Sequence, residues 1–86
     1  MRWNKSLLLC EVLNMCFCIS NNSDADVFFE YAPHCDAYTI YWYSDGWTQE
    51  TAGDMEVLET VTQITCKNLR NTLAKLNAIA VEKGVA

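Results

Sequence analysis

Residues 27–43 read VFFEYAPHCDAYTIYWY, and this stretch decides the fold. Aromatic and β-branched residues dominate both of its ends, and such residues favour the pleated, half-buried surface of a sheet. We therefore predict two strands, 27–31 and 37–43, joined through the short connection Ala32-Pro33-His34-Cys35. The following Asp45-Gly46 pair tolerates positive φ and suits a tight hairpin, so a third strand at 47–51 is predicted to fold back on the second.

Side chains alternate between the two faces of a strand, which divides each predicted strand into two sets. The more apolar set is predicted to face the helices: Val27, Phe29, Tyr31, Tyr38, Ile40 and Trp42. The other set is predicted to face solvent or a partner: Glu30, Thr39, Tyr41 and Tyr43.

Helices are predicted on both sides of the strand region. The first runs from Trp3 to Cys18 or Ile19 and is apolar on two sides, so it is either sandwiched in the core or part of an oligomer interface. The second runs over 54–83, with Asp54 as N-cap and Glu56 and Glu59 near the positive end of the helix dipole. Together, the predicted helices and strands indicate one α+β domain, residues 1–86, of order α-β-β-β-α, with both helices on one face of a three-stranded antiparallel sheet.

The N-terminus imitates a secretion signal, because Arg2 and Lys5 precede a largely apolar run to Ile19. Glu11 and Asn14 interrupt that run, and it is shorter than the ~20 apolar residues that span a bilayer. We therefore interpret it as a buried helix of a cytoplasmic protein without a membrane partner.

Charge is distributed very unevenly along the chain. Between Ser6 and Cys66 there is no lysine or arginine, yet all eleven carboxylates except Glu82 lie there, and the net charge is −5. A negative field of this kind attracts basic surfaces and repels nucleic acid. The pattern predicts a basic host protein or nucleoprotein complex as partner and argues against direct binding to nucleic acid.

Catalytic and metal-binding arrangements are weak in this sequence. The only histidine, His34, is adjacent to Cys35, and neighbouring residues of a strand point to opposite faces, so a Cys–His pair is disfavoured. A metal set of Cys16, Cys18, His34 and Cys35 lacks the usual C-x₂₋₄-C knuckles. The five cysteines are expected to be reduced, with a Cys35–Cys66 disulfide as the alternative. We predict no enzyme activity, no metal and no cofactor.

Exposed aromatic and acidic residues are the best candidates for function, because tyrosine and tryptophan are common at interface hot spots. We predict that a partner-binding surface contains Glu30, Tyr41, Tyr43, Asp45, Trp47, Asp54, Glu56 and Glu59. Rows of carboxylates at phosphate-like spacing, such as Asp24 and Asp26 along a strand, would allow mimicry of nucleic acid. The alternative function is homo-oligomerisation, for example as a homodimer, through Leu69, Leu73 and Leu76 of the long second helix.

The layout of a helix, an aromatic hairpin bearing Tyr41-Trp42-Tyr43-Ser44-Asp45-Gly46-Trp47, and a closing helix resembles that of small acidic proteins encoded by phages and prophages. Part of this group consists of anti-CRISPR and other anti-defence inhibitors. The resemblance covers size, acidity and order of elements, and it provides no site residues to transfer. It implies a stoichiometric protein inhibitor that docks on a host complex in the host cytoplasm.

Overall fold

Two α-helices and three strands follow one another along the part of the chain that the computed structural model describes, residues 4–85. They are α1 (Lys5–Asn22), β1 (Asp26–Ala32), β2 (Ala37–Tyr43), β3 (Glu56–Val61) and α2 (Cys66–Glu82). The strands form an antiparallel sheet in the order β1-β2-β3. The α-β-β-β-α order and the α+β class are thus confirmed. Arg2 and Trp3, the latter placed at the start of the first helix by the sequence, lie outside the described residues.

The helices cover one face of the sheet and build the core with it. Every third or fourth residue of α1 is buried, and α2 buries a stripe with similar spacing. From β2, Tyr38, Ile40 and Trp42 point into the same core, as the alternation predicted. Val27 and Phe29 are partly buried against it, whereas Tyr31 remains about half exposed near the end of β1.

The end of α1 is fastened to the edge of the sheet by Ser20. The Val27 N–H donates to Ser20 Oγ at 2.8 Å. Because Val27 lies on the edge strand β1, this bond satisfies a backbone group that β2 does not reach. It also fixes the start of β1, from which Asp26 and Phe28 project.

The predicted third strand at 47–51 is wrong. These residues belong to a long connection, 44–55, in which Thr48 and Thr51 bond to each other's backbone: the Thr48 N–H donates to Thr51 Oγ1 at 2.7 Å and the Thr51 N–H to Thr48 Oγ1 at 3.1 Å. Threonine side chains that satisfy local backbone groups in this way compete with a strand ladder. The third strand is instead β3, which pairs with β2 across a bulge between Ile40 and Tyr41.

The predicted start of the second helix at Asp54 is also wrong. The helix begins at Cys66 with Thr65 as N-cap, whose side chain accepts from the Asn68 N–H at 3.0 Å. Asp54 lies in the 44–55 connection before β3, and Glu56 and Glu59 lie on β3 itself. β-branched residues are frequent between positions 57 and 65, and their restricted χ1 angles favour a strand over a helix.

A buried chain of hydroxyls joins β2 to α2. The Tyr38 hydroxyl lies 2.6 Å from Thr72 Oγ1, and Thr72 donates to Glu59 Oε2 at 3.2 Å. Because threonine has a single hydroxyl proton, Tyr38 is the donor to Thr72. Glu59 is also paired with Lys75 Nζ at 3.4 Å. The chain therefore fixes how α2 lies on the sheet.

We expect Thr72→Val to lower the free energy of unfolding by about 1–3 kcal/mol, because it keeps the buried volume but leaves the Tyr38 hydroxyl without an acceptor. Tyr38→Phe should cost only about 0.5–1.5 kcal/mol, since Thr72 still donates to Glu59. The double variant should cost less than the sum of the two. Urea denaturation of all four proteins measures this coupling, and strictly additive costs would contradict it.

Candidate partner-binding face

The sheet has an outer face, which we define as the face opposite the helices. By alternation and register it carries Asp26, Phe28, Glu30, Thr39, Tyr41, Tyr43, Val57 and Thr60. The Cα atoms extend over 42 × 29 × 15 Å, and the shortest dimension corresponds to two layers. No third layer covers the outer face within residues 4–85, and each of these side chains is at least partly exposed.

Three rings on the outer face are packed against one another. Phe28 lies directly opposite Tyr41 in the register, and their rings stack with centroids 5.1 Å apart and planes 4° apart. Tyr43 meets Phe28 edge to face at 5.8 Å. Pairs of this kind contribute about 0.5–1.5 kcal/mol beyond the burial of their area. The rings are therefore held in place before any partner arrives.

Trp47 is brought to this face by the turn that follows β2. Gly46 has φ +91°, and a Cβ at this position would lie 2.9 Å from the Asp24 carbonyl oxygen, so the close approach of the loop to β1 requires glycine. The Trp47 N–H then donates to Asp26 Oδ2 at 2.8 Å. This bond anchors the backbone of Trp47, while the residue as a whole remains 52% exposed.

Together these residues form an open groove of about 490 Å³, lined by Asp26, Phe28, Tyr41, Tyr43 and Trp47, which we call the aromatic groove. Its volume falls within the ~300–1,000 Å³ that is typical of ligand pockets. Four rings and one carboxylate therefore present a mainly apolar surface with one anionic group.

The surroundings of the groove are acidic. Glu30 and Asp45 are exposed. Desolvation and then the nearby charge of Glu30 raise the pKa of Tyr41, so its hydroxyl stays protonated. Every lysine and arginine in the described residues belongs to a helix or its C-cap. Lys75 donates to the Leu58 carbonyl on β3, and Lys83 donates to the Ser44 carbonyl in the turn after β2.

Five of the eight predicted partner-binding residues lie on the outer face or the turn beside it: Glu30, Tyr41, Tyr43, Asp45 and Trp47. Asp54 is exposed in the loop and outside the aromatic groove. Glu56 and Glu59 lie on the helix side of the sheet instead, because they pair in the register with Trp42 and Ile40, which face the core. Glu56 Oε1 accepts from Trp42 Nε1 at 2.8 Å, and Glu59 is held by Thr72 and Lys75.

Two residues of the groove, Asp26 and Phe28, are missing from the predicted set. The alternation that exposes Glu30 also exposes both of them, so the signal was present in the sequence. Phe28 shares the predicted solvent-facing side with Glu30 but is absent from the predicted surface, and Asp26 precedes the predicted start of the strand at 27. The role of Asp26 depends on the backbone of Trp47, 21 positions away, and no sequence pattern reveals that bond.

The residues proposed for homo-oligomerisation do not form a free surface. Leu69 and Leu76 are fully buried in the core of the chain itself, and Leu73 packs partly against that core. The second helix is shorter than predicted, so its C-terminal half does not project. The most exposed apolar side chains of the two helices are Phe17 on α1, at 66%, and Val81 on α2, at 64%.

The other chemistry considered in the sequence is not assembled in residues 4–85. His34 and Cys35 lie in an exposed 3₁₀ turn, Pro33–Cys35, and no three His, Cys, Asp or Glu side chains of the described part cluster as metal ligands would. All five cysteines are free thiols, so the Cys35–Cys66 disulfide is not formed. Burial raises the pKa of Cys16 from 9.0 to about 11, as expected for an unreactive core thiol.

Neither helix of the described residues is long and apolar enough to cross a membrane. In comparisons with known proteins, no family model, no curated protein and no solved structure matches this chain. Its function must therefore be inferred from the outer face of the sheet and from the charges around it.

Proposed function

We propose that this protein is a non-enzymatic binding module that docks through the outer face of its sheet on a basic surface of a host protein or nucleoprotein complex. In its finer form the proposal is a phage-type inhibitor, similar to anti-CRISPR proteins, that acts in the host cytoplasm. Such an inhibitor would compete with nucleic acid for a basic groove without binding nucleic acid itself.

The observation that carries the proposal is the aromatic groove beside uncompensated acids. Large rings that are exposed and already packed supply apolar contact area at little entropic cost, as hot-spot residues do. Asp26 and Glu30 add negative charge on the outer face, and Asp45 is exposed in the turn that follows β2. Among the described residues no lysine or arginine forms an ion pair with these three acids; the nearest recorded base is Lys83, whose Nζ donates to the Ser44 carbonyl beside Asp45.

The acidic contribution comes from fewer residues than the sequence suggested. Glu59 is bonded to Thr72 and Lys75 on the helix side and supports the fold. Glu56 accepts from Trp42 on that same side and remains exposed, but it does not lie on the outer face. Charge steering is therefore assigned to Glu30 and Asp45, with Asp26 in the groove.

The test is affinity capture from a nuclease-treated bacterial lysate with the intact chain as bait, at low and then at high salt. We expect recovery of a basic, nucleic-acid-binding protein that is retained after nuclease treatment and released as salt screens the charges. The purified chain should then lower the affinity of that protein for its nucleic acid.

A matched pair of baits makes the result specific. Glu30→Lys should reduce capture, because it reverses a charge on the outer face, whereas Lys67→Glu on the exposed surface of α2 should not. If both baits capture the same protein equally at low salt, or if the captured protein binds its nucleic acid unimpaired, the proposed inhibition is wrong.

A further inference from the structure

We propose that the aromatic groove is the receptor for one arginine side chain of the partner. This inference rests on the proposed function, since it names the group that the docking surface recognises. The groove is lined by Asp26, Phe28, Tyr41, Tyr43 and Trp47, and its volume of about 490 Å³ leaves room for an inserted side chain.

The composition of the groove selects a cation. The faces of aromatic rings carry negative potential and attract cations within ~6 Å. Asp26 adds a full negative charge: its Oδ2 accepts from the Trp47 N–H, and no donor from residues 4–85 reaches its Oδ1. An aliphatic side chain would desolvate this oxygen without offering it a hydrogen bond, which is unfavourable.

The geometry of the rings selects arginine over lysine. Phe28 and Tyr41 are nearly parallel, with planes 4° apart, and a planar guanidinium can continue such a stack. The same guanidinium has several N–H donors in its plane, so it can stack and donate to Asp26 Oδ1 at once. An ammonium group is more strongly hydrated and offers no plane, so it would gain less from these rings.

A peptide titration tests the inference without the partner. The ¹⁵N-labelled full chain is titrated with acetyl-Gly-Arg-Gly-amide and with matched peptides that carry lysine or citrulline, and the Trp47 indole N–H and the amides of Phe28 and Tyr41 are followed by NMR. We expect arginine to bind about threefold more tightly than lysine, and about tenfold more tightly than citrulline, which is planar but neutral.

Variants separate the two parts of the receptor. Asp26→Asn keeps an acceptor for the Trp47 N–H and should weaken arginine binding about fivefold, because it removes the charge. Tyr41→Leu should weaken it, because it removes the ring on which the guanidinium stacks, whereas Val81→Ala on the exposed surface of α2 should bind as the parent does. Circular dichroism and thermal unfolding confirm that each variant is folded.

The inference is overturned if citrulline or lysine binds as well as arginine, if the shifts lie outside the aromatic groove, or if Asp26→Asn has no effect. These results are independent of the lysate capture. Arginine specificity without a captured partner would refute only the proposed function, and a captured partner without arginine specificity would refute only this inference.

Discussion

Leu76→Ala should lower the free energy of unfolding by about 2–5 kcal/mol, which is the usual cost of truncating a fully buried leucine. Leu76 lies on α2 at 1% exposure, inside the core of a single chain. A domain of this size is expected to have only about 5–15 kcal/mol of stability, so the melting temperature should fall by more than about 10 °C. Urea and thermal denaturation, followed by circular dichroism, measure the change.

Val81→Ala is the matched control on the same helix. Val81 is 64% exposed, and its truncation should change stability by less than about 0.5 kcal/mol. Protein concentration provides the second control. If Leu76 served a homo-oligomer interface, the loss of stability would vary with concentration, because association shifts apparent stability by mass action. A concentration-dependent loss would therefore contradict burial within one chain and restore the oligomer hypothesis.

The central strand could be predicted from sequence because its pattern is compatible with one structure only. In β2, Tyr38, Ile40 and Trp42 alternate with Thr39, Tyr41 and Tyr43, and a helix would not separate these two sets. Burial follows the alternation residue by residue. The outer-face positions of Tyr41 and Tyr43 follow from the same periodicity, so this part of the candidate site was accessible without coordinates.

The third strand could not be located in the same way. Residues 56–61, EVLETV, are too short for periodicity to distinguish a strand from a helical turn, and Leu58, Val61 and Thr65 also fit a helical stripe. Only the pairing with β2, across a bulge, shows that these residues form a strand and not a helical turn. The Asp45-Gly46 pair led to a predicted third strand that begins too early in the chain. Gly46 is needed for the close approach of the loop to Asp24 and does not form a two-residue hairpin.

The error in β3 had a functional consequence. A helix would have placed Glu56 and Glu59 together on its first turn, whereas the strand puts both on the helix side of the sheet, where Glu56 stays exposed and Glu59 is partly buried. Their bonds to Trp42 and Lys75 then become part of the fold. The position of Trp47 over β1 depends on one long-range bond to Asp26, which is why the groove as a whole appears only in three dimensions.

Trp47→Ala should weaken association with the captured partner by about 30-fold or more, which corresponds to the ~2 kcal/mol that defines a hot spot. The indole is half exposed at the aromatic groove, and its loss removes apolar area and a cation-binding face. The stability of the free chain should change little, because the Trp47 N–H still donates to Asp26 in the alanine variant. Surface plasmon resonance with the immobilised partner measures the affinity.

Phe17→Ala is the decisive comparison. Phe17 is the more exposed of the two rings at 66%, but it belongs to α1, on the layer opposite the outer face of the sheet. If the sheet is the docking surface, Phe17→Ala should bind the partner as the parent chain does. The reverse pattern, with Phe17→Ala abolishing binding and Trp47→Ala leaving it intact, would move the interface to α1 and show that exposed aromatic area alone, without the neighbouring acids, determines where the partner binds.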